Sequence, residues 1–295
     1  FAGGSEANVA VSLAHMGTPV AYASAFPDNS LSLELLSLLN NKGVDCSRCI
    51  SSGDRLGTYI LQSANGLTKG DVIYDRKYSS FSQLTKAHID MDSLFDNIRW
   101  LHWTAITPAL NAEMADLMLM LLEEAQQRKI PISVDLNYRN RLWQYGLEPL
   151  AIMPKLVSYC QVIMGNIWAA NKMLGIAVDE QLDRHTAVQT YQEMANKSAA
   201  ALFSKFPTCE HIANTFRFMD NPTHNLFYGT YHTRTINAIS SIHETNAVVD
   251  RIGSGDAFMA GLLHALLQEQ PPQEIIDVAT AAGFHKLFVK GDFGN

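Results

Sequence analysis

Apolar and polar positions along the chain alternate between two periods, about 3.6 residues and 2 residues per repeat, and the switches between them mark the elements. Ala7 to Met16 reads as a helix stopped at Gly17, Val20 to Ser24 as a strand, and Leu31 to Asn40 as an amphipathic helix ending before Gly43. Between Thr58 and Tyr78 two β-rich runs, Tyr59 to Gln62 and Val72 to Arg76, flank an Asn65-Gly66 pair, which predicts a hairpin-like excursion outside the main sheet. Strand-and-helix units then follow one another. Ile98 to Thr104 precedes a helix over Asn111 to Arg128 with Met114, Leu117, Met118, Leu121, Leu122 and Ala125 on one face. Strands are predicted at Ile130 to Leu136, Gln161 to Gly165 and Glu210 to Thr215, a long helix at Arg184 to Phe206, and a further β excursion at Leu226 to Thr235. Helices over Gly255 to Gln268 and Gln273 to Leu287 close the chain. Such alternation predicts an α/β fold, with a mostly parallel sheet covered by helices on both faces.

Size and charge narrow the classes of partner. The chain has 295 residues, 47% of them hydrophobic, enough for one large core. A net charge of −7 without long runs of like charge argues against nucleic acid or an anionic membrane as partner. No apolar run reaches the roughly 20 residues that span a bilayer. Only four cysteines occur, which suggests a reducing, cytosolic setting. The Cys46-Ser47-Arg48-Cys49 spacing matches half of a zinc site or a redox pair, but without a second pair it reads better as small residues entering a strand. The abrupt start at Phe1-Ala2-Gly3-Gly4 leads us to expect residues upstream.

Ligands of open α/β sheets bind beyond the carboxyl ends of the strands. The polar residues there are Asp135, Asn137, Tyr138, Arg139 and Arg141; Gly165 and Asn166; Asn214, Thr215 and Arg217; and the turn Asp250-Arg251-Ile252-Gly253-Ser254-Gly255-Asp256. In that turn the amides of Gly253, Ser254 and Gly255 are expected unpaired at a helix start, a ready anion site, with Asp256 in the first helical turn. The helix dipole alone would favour an acid there and should lower its pKa. A carboxylate beside three free amides also suits phosphoryl transfer, where a base orients a hydroxyl and the amides hold the transferring group. Ala257 and Gly261 permit close helix packing behind it. A second glycine element, Gly3-Gly4-Ser5-Glu6-Ala7-Asn8, lacks the endings of phosphate-binding and dinucleotide motifs. Ser5 can cap the first helix, and the glycines can let a ligand approach the backbone.

Together these two glycine elements resemble the signatures of the ribokinase-like, or PfkB, family of carbohydrate kinases. Gly3-Gly4-x-x-x-Asn8 is similar to its sugar-binding signature, and Asp250 to Asp256 to its catalytic one. Tyr74-Asp75-Arg76-Lys77-Tyr78-Ser79, Asp135-Leu136-Asn137-Tyr138-Arg139 and Lys290-Gly291-Asp292-Phe293 narrow the likeness to the family's 2-dehydro-3-deoxygluconate kinases. The resemblance implies a three-layer α/β/α sandwich forming a single domain over residues 1–295, with a small lid contributed by about 18–26 and 56–80. It implies MgATP as co-substrate, with a monovalent cation as a further option, and a homodimer or larger assembly through the lid. Asp256 would be the base and Gly253, Ser254 and Gly255 the anion hole. Gly3, Gly4, Asn8, Tyr59, Tyr74, Arg76 and Arg139 would bind the sugar, and Asn166, Thr215, Arg217 and Gly283 the nucleotide together with Gly253 and Gly255. Two arginines favour an acidic sugar, since a guanidinium pairs with a planar carboxylate in two-pronged fashion. A kinase of a neutral sugar such as fructose or ribose, and a non-catalytic sugar- or nucleotide-binding homologue, remain the alternatives. Three departures stand out. Ala169 occupies the place of the family's glutamate in Asn166-Ile167-Trp168-Ala169, so no metal ligand is assigned. Ala213 to Arg217 lacks the lysine and glycine many members carry. The first strand, with a substrate-facing aspartate, is expected before Phe1.

Overall fold

A computed structural model describes residues 1–62 and 71–294. Chain order is α1 (Ser5–His15), β1 (Ala25–Phe26), α2 (Ser30–Asn41), β2 (Ile50–Ser51), β3 (Thr58–Gln62), β4 (Asp71–Asp75), α3 (Met91–Phe95) and β5 (Leu101–Thr104). There follow α4 (Ala112–Gln127), β6 (Ile132–Asp135), α5 (Pro149–Val157), β7 (Val162–Met164), α6 (Ile167–Leu174), α7 (Val188–Lys205) and β8 (His211–Phe218). The chain ends with β9 (Asn225–His232), β10 (Asn237–Ile239), β11 (His243–Thr245), α8 (Ser254–Leu267), α9 (Pro272–His285) and a 3₁₀ turn at Lys286–Phe288.

β5, β6, β7 and β8 run parallel side by side; β9 continues the sheet antiparallel and carries β10 and β11. The period of 2 along each strand sorts side chains to two faces. Ile132 and Val134 of β6, Ile163 of β7 and Ile212 of β8 pack with Leu122, Met153, Met173 and Leu202 from α4 to α7. Val162, Met164 and Ala213 point the other way, against Val9 of α1, Phe258 and Met259 of α8 and Ile276 of α9. The result is the three-layer α/β/α sandwich. Asp135 pairs in register with Met164, so it looks toward α1 and α8. Behind that layer α8 and α9 approach closely: a Cβ on Gly261 would stand 2.9 Å from Ala279 Cα. No helix among the described residues is long and apolar enough to cross a membrane.

Outside the sandwich, β1 and β2 pair in parallel, and β3 and β4 form an antiparallel pair separate from the main sheet. The Asn65-Gly66 turn expected between the latter lies outside the described residues. Other expectations are corrected. Val20 to Ser24 is extended but not a regular strand: Asp45 and Ile50 each donate one backbone bond to it, and the Cys46–Cys49 turn interrupts the partner segment. Leu226 to Thr235 is no excursion, because β9 pairs along most of β8 within the main sheet. The long helix begins at Val188 rather than Arg184, since the Asp183 carboxylate and carbonyl take the His185 and Thr186 amides into a turn.

Candidate active site

Asp256 sits in the first turn of α8 and is 9% exposed. Ser5 donates its hydroxyl to Oδ1 at 2.6 Å and Asn8 its amide to Oδ2 at 2.7 Å, both from the first two turns of α1. Asn137 donates from Nδ2 to Ser5 Oγ at 2.8 Å, completing a relay from the end of β6 to α8. Asn137 takes a positive φ of 27°, which an asparagine tolerates, and its own amide is held by Asp135 Oδ1 at 2.9 Å. The cap of α1 is thus Gly4, with φ 135°, and not Ser5, whose hydroxyl turns to Asp256 instead. Among the described residues Asn8 Oδ1 is buried with no hydrogen-bond partner.

The charge state of this cluster departs from the expectation drawn from the helix dipole. Burial raises the Asp256 pKa despite the donors Ser5 and Asn8 and the positive charge of Arg139. Asp135, equally enclosed, is pushed up to about 7, first by burial and then by the charge of Asp256. Two carboxyl groups sharing a dry site cannot both ionise freely. Glu6 adds a third acid near by, held by Thr104 through its amide at 3.2 Å and its hydroxyl at 2.7 Å.

Around the turn before α8, Gly253 adopts φ 75°, and a Cβ there would overlap the Asp292 carbonyl. Ser254 N–H is not free as expected: it donates to Arg251 O at 3.3 Å. Among the described residues Gly253 and Gly255 show no backbone acceptor, and the space beside Gly255 is open. Arg217 donates to Ser254 Oγ at 2.7 Å. The residue is exposed overall, yet its hemmed-in guanidinium, and then the like charges of Arg251 and Arg139, lower its pKa. Arg217 is thus tied to the serine between two free amides, an arrangement that can hold an anion next to a carboxylate able to accept a proton.

Asp292 is a residue the sequence pattern did not single out for a role. Its carboxylate accepts from Tyr59 Oη at 2.6 and 2.7 Å, and a Cβ on Gly3 would overlap it. That contact leaves no room for a side chain at Gly3. Burial and then Asp292 push the Tyr59 phenol far up, so it remains a donor. Arg76, just past the end of β4, lies over the Tyr74 ring at 5.4 Å. A cleft lined in part by Gly3, Gly4, Ser5, Tyr59, Arg76 and Asp292 runs alongside.

The remaining candidates have other contacts in the fold. Asn166 spends its side-chain oxygen on the Ala169 amide at 2.8 Å, capping α6, and Ala169 is buried without any carboxylate to offer. Thr215 pairs with Gly229 inside the sheet. Gly283 is enclosed, with Ser254 O 3.0 Å from where its Cβ would be, so it serves the contact of α9 with the start of α8. Ser5, Asn137 and Asp135 stood in the quoted motifs without site roles; their shared position at strand and helix ends was the available signal.

Known proteins share this fold. The pattern common to pfkB family carbohydrate kinases matches residues 1–204 and 233–292. The chain is 28% identical over 292 residues to a 2-dehydro-3-deoxygluconokinase of Bacillus subtilis, covering 98% of this chain and 81% of that one. It is 23% identical over 286 residues to a 5-dehydro-2-deoxygluconokinase of Geobacillus thermodenitrificans, covering 96% and 77%. The crystal structure of 2-dehydro-3-deoxygluconokinase from Thermotoga maritima superposes with a TM-score of 0.89 at 29% identity, covering 99% of this chain and 86% of that one. The chain belongs to the pfkB family of carbohydrate kinases.

Proposed function

We propose that the protein phosphorylates the terminal hydroxyl of 2-dehydro-3-deoxygluconate from ATP, with Asp256 as base. The observation that carries this reading is the Asp256 carboxylate fixed by Ser5 and Asn8 directly beside the free amides of Gly253 and Gly255. The sugar hydroxyl oxygen attacks the γ-phosphorus, its proton passes to Asp256, and the bond to the leaving ADP oxygen breaks. Raised by burial, Asp256 is a stronger base than an ordinary aspartate, while Ser5 and Asn8 keep it ionised enough to act. The amides of Gly253 and Gly255 take the charge of the transferring group, and Arg217 steadies it through Ser254.

Gly4 and the free Asn8 Oδ1 meet sugar hydroxyls, and Tyr59, Tyr74 and Arg76 reach in from β3 and β4, which with β1 and β2 act as a lid on one kinase domain. Arg76 and Arg139 select the carboxylate, in keeping with the acid named in the relatives. The names of both relatives point to keto-deoxy sugar acids, so 5-dehydro-2-deoxygluconate is the second reading. Among the described residues no three His, Cys, Asp or Glu side chains converge on a metal position. The donors present suit a divalent ion that arrives on the nucleotide phosphates and keeps its waters; when bound it neutralises phosphate charge. On the lid, Ile60, Leu61 and Ile73 are 60%, 45% and 49% exposed, which supports a homodimer paired through β3 and β4.

Phosphate transfer to a panel of both keto-deoxy acids, fructose and ribose tests the reading. We expect the fastest turnover on 2-dehydro-3-deoxygluconate and a loss of about 10²- to 10⁴-fold in Asp256→Asn. Undiminished turnover in that variant would overturn the mechanism, and preference for fructose would overturn the substrate.

A further inference from the structure

Lys286 closes α9 and opens the 3₁₀ turn after it, yet it is 2% exposed. Nζ donates to Val289 O at 3.0 Å, and Cε lies 3.4 Å from where a Cβ of Gly253 would stand. Around it two segments are stitched together. Asp250 accepts from Ile252 N and from Gly291 N, each at 3.0 Å, and Leu287 O accepts from Val249 N at 2.8 Å and Asp250 N at 3.1 Å. A lysine at a helix C-terminus is favourable through the dipole alone, but it ordinarily keeps its ammonium in water. Burial lowers the pKa here, and the charges of Asp250, Asp292 and Asp256 act in the opposite direction, in that order. Those acids lie on both stitched segments and in the first turn of α8.

We propose that Lys286 is a positioning residue whose ammonium serves as a tethered monovalent cation, holding the Asp250–Gly253 loop against the 286–292 segment so that the Gly253 and Gly255 amides face the transferring phosphoryl group. This rests on the phosphoryl-transfer reading above. An ammonium and a potassium ion are of similar size and both are satisfied by carbonyl and carboxylate oxygens. A chain that carries its own ammonium at this place needs no free cation to order the loop.

Turnover of the wild type and of Lys286→Met is compared in potassium, ammonium, sodium and tetramethylammonium chloride at equal ionic strength. The wild type is expected to vary by no more than about twofold, whereas Lys286→Met loses about 10²-fold in kcat in tetramethylammonium, with little change in the KM for sugar, as when a transition-state donor is misplaced. Potassium or ammonium should then restore kcat by about tenfold or more in the variant, by binding where the tethered group was. A purely structural lysine would show no such selectivity. Thermal melts supply a second arm: small cations should raise the Tm of Lys286→Met and leave the wild type unmoved. A wild type that requires potassium overturns the proposal, as does a folded variant with no cation response in either kcat or Tm. If Lys286→Met fails to fold, Lys286→Gln is judged by the same two criteria. Absence of phosphate transfer in the wild type sinks the kinase reading instead, and the melts still decide the cation site.

Discussion

Ser5 and Asp256 stand 251 residues apart in sequence and 2.6 Å apart in space, hydroxyl to carboxylate. Because that hydrogen bond lowers the pKa that burial raises, Ser5→Ala should push it up further. The base works deprotonated, so the acidic limb of the kcat/KM profile moves to higher pH. We expect a loss that is largest on the acidic side and shrinks as pH rises, measured as initial rates across pH. A profile that drops without shifting would argue against tuning through this bond.

Asp135 links pH to stability. Its pKa of about 7 in the folded chain exceeds its ordinary 3.8, so the native state holds the proton more tightly than the unfolded one. The stabilisation is complete below about pH 4 and is lost as pH rises through about 7. Asp135→Asn should therefore gain stability relative to wild type on going from pH 5 to pH 8, by up to a few kcal/mol, on the order of 1.4 per pKa unit. Urea unfolding at both values checks the sign.

Arg76 and Arg139 are assigned to an acidic substrate. Replacing either by Met should cost about 10- to 100-fold in kcat/KM for a sugar acid, the worth of one charge-assisted pair, and far less for fructose. Steady-state kinetics on both sugars decides it, and equal losses would remove the basis for the assignment.

Gly261 lets α8 and α9 meet, with room for no side chain beside Ala279. Gly261→Ala should destabilise by about 1–3 kcal/mol through overpacking. A lowered Tm in a thermal melt, with the pH profile of the residual activity unchanged, is the expected result.

Much of this was legible in the chain. Of the parallel strands, β6, β7 and β8 could be read because each is a short apolar run followed by polar residues, and the α4 face because six apolar positions share a helical stripe. β9 was misplaced because pairing direction is decided by β8, not by the composition of Leu226 to Thr235. At the site, Asp256 and the glycines announced themselves by spacing. The hydroxyl of Ser5 could as well have capped its own helix, and only the tertiary position of α8 decides which it does. The direction of the Asp256 shift was also out of reach: a dipole argument is local, while burial depends on α1 and β6 closing over the carboxylate. Asn166, Thr215 and Gly283 look alike as strand-end or helix residues, and only the fold shows that one caps α6, one pairs with Gly229 and one meets the start of α8.

Position 3 takes a glycine because Asp292 lies where a side chain would be, and among the described residues the side chains hydrogen-bonded to the Asp256 carboxylate come from α1. A chain emerging from the ribosome from its amino end must therefore carry Ser5 and Asn8 without their partner until α8 is released, and Gly3 and Tyr59 without theirs until residue 292 follows. Loop closure across some 250 residues comes late, so turnover reports the completion of folding, and truncation within the final segment should silence the protein long before it dismantles the sheet.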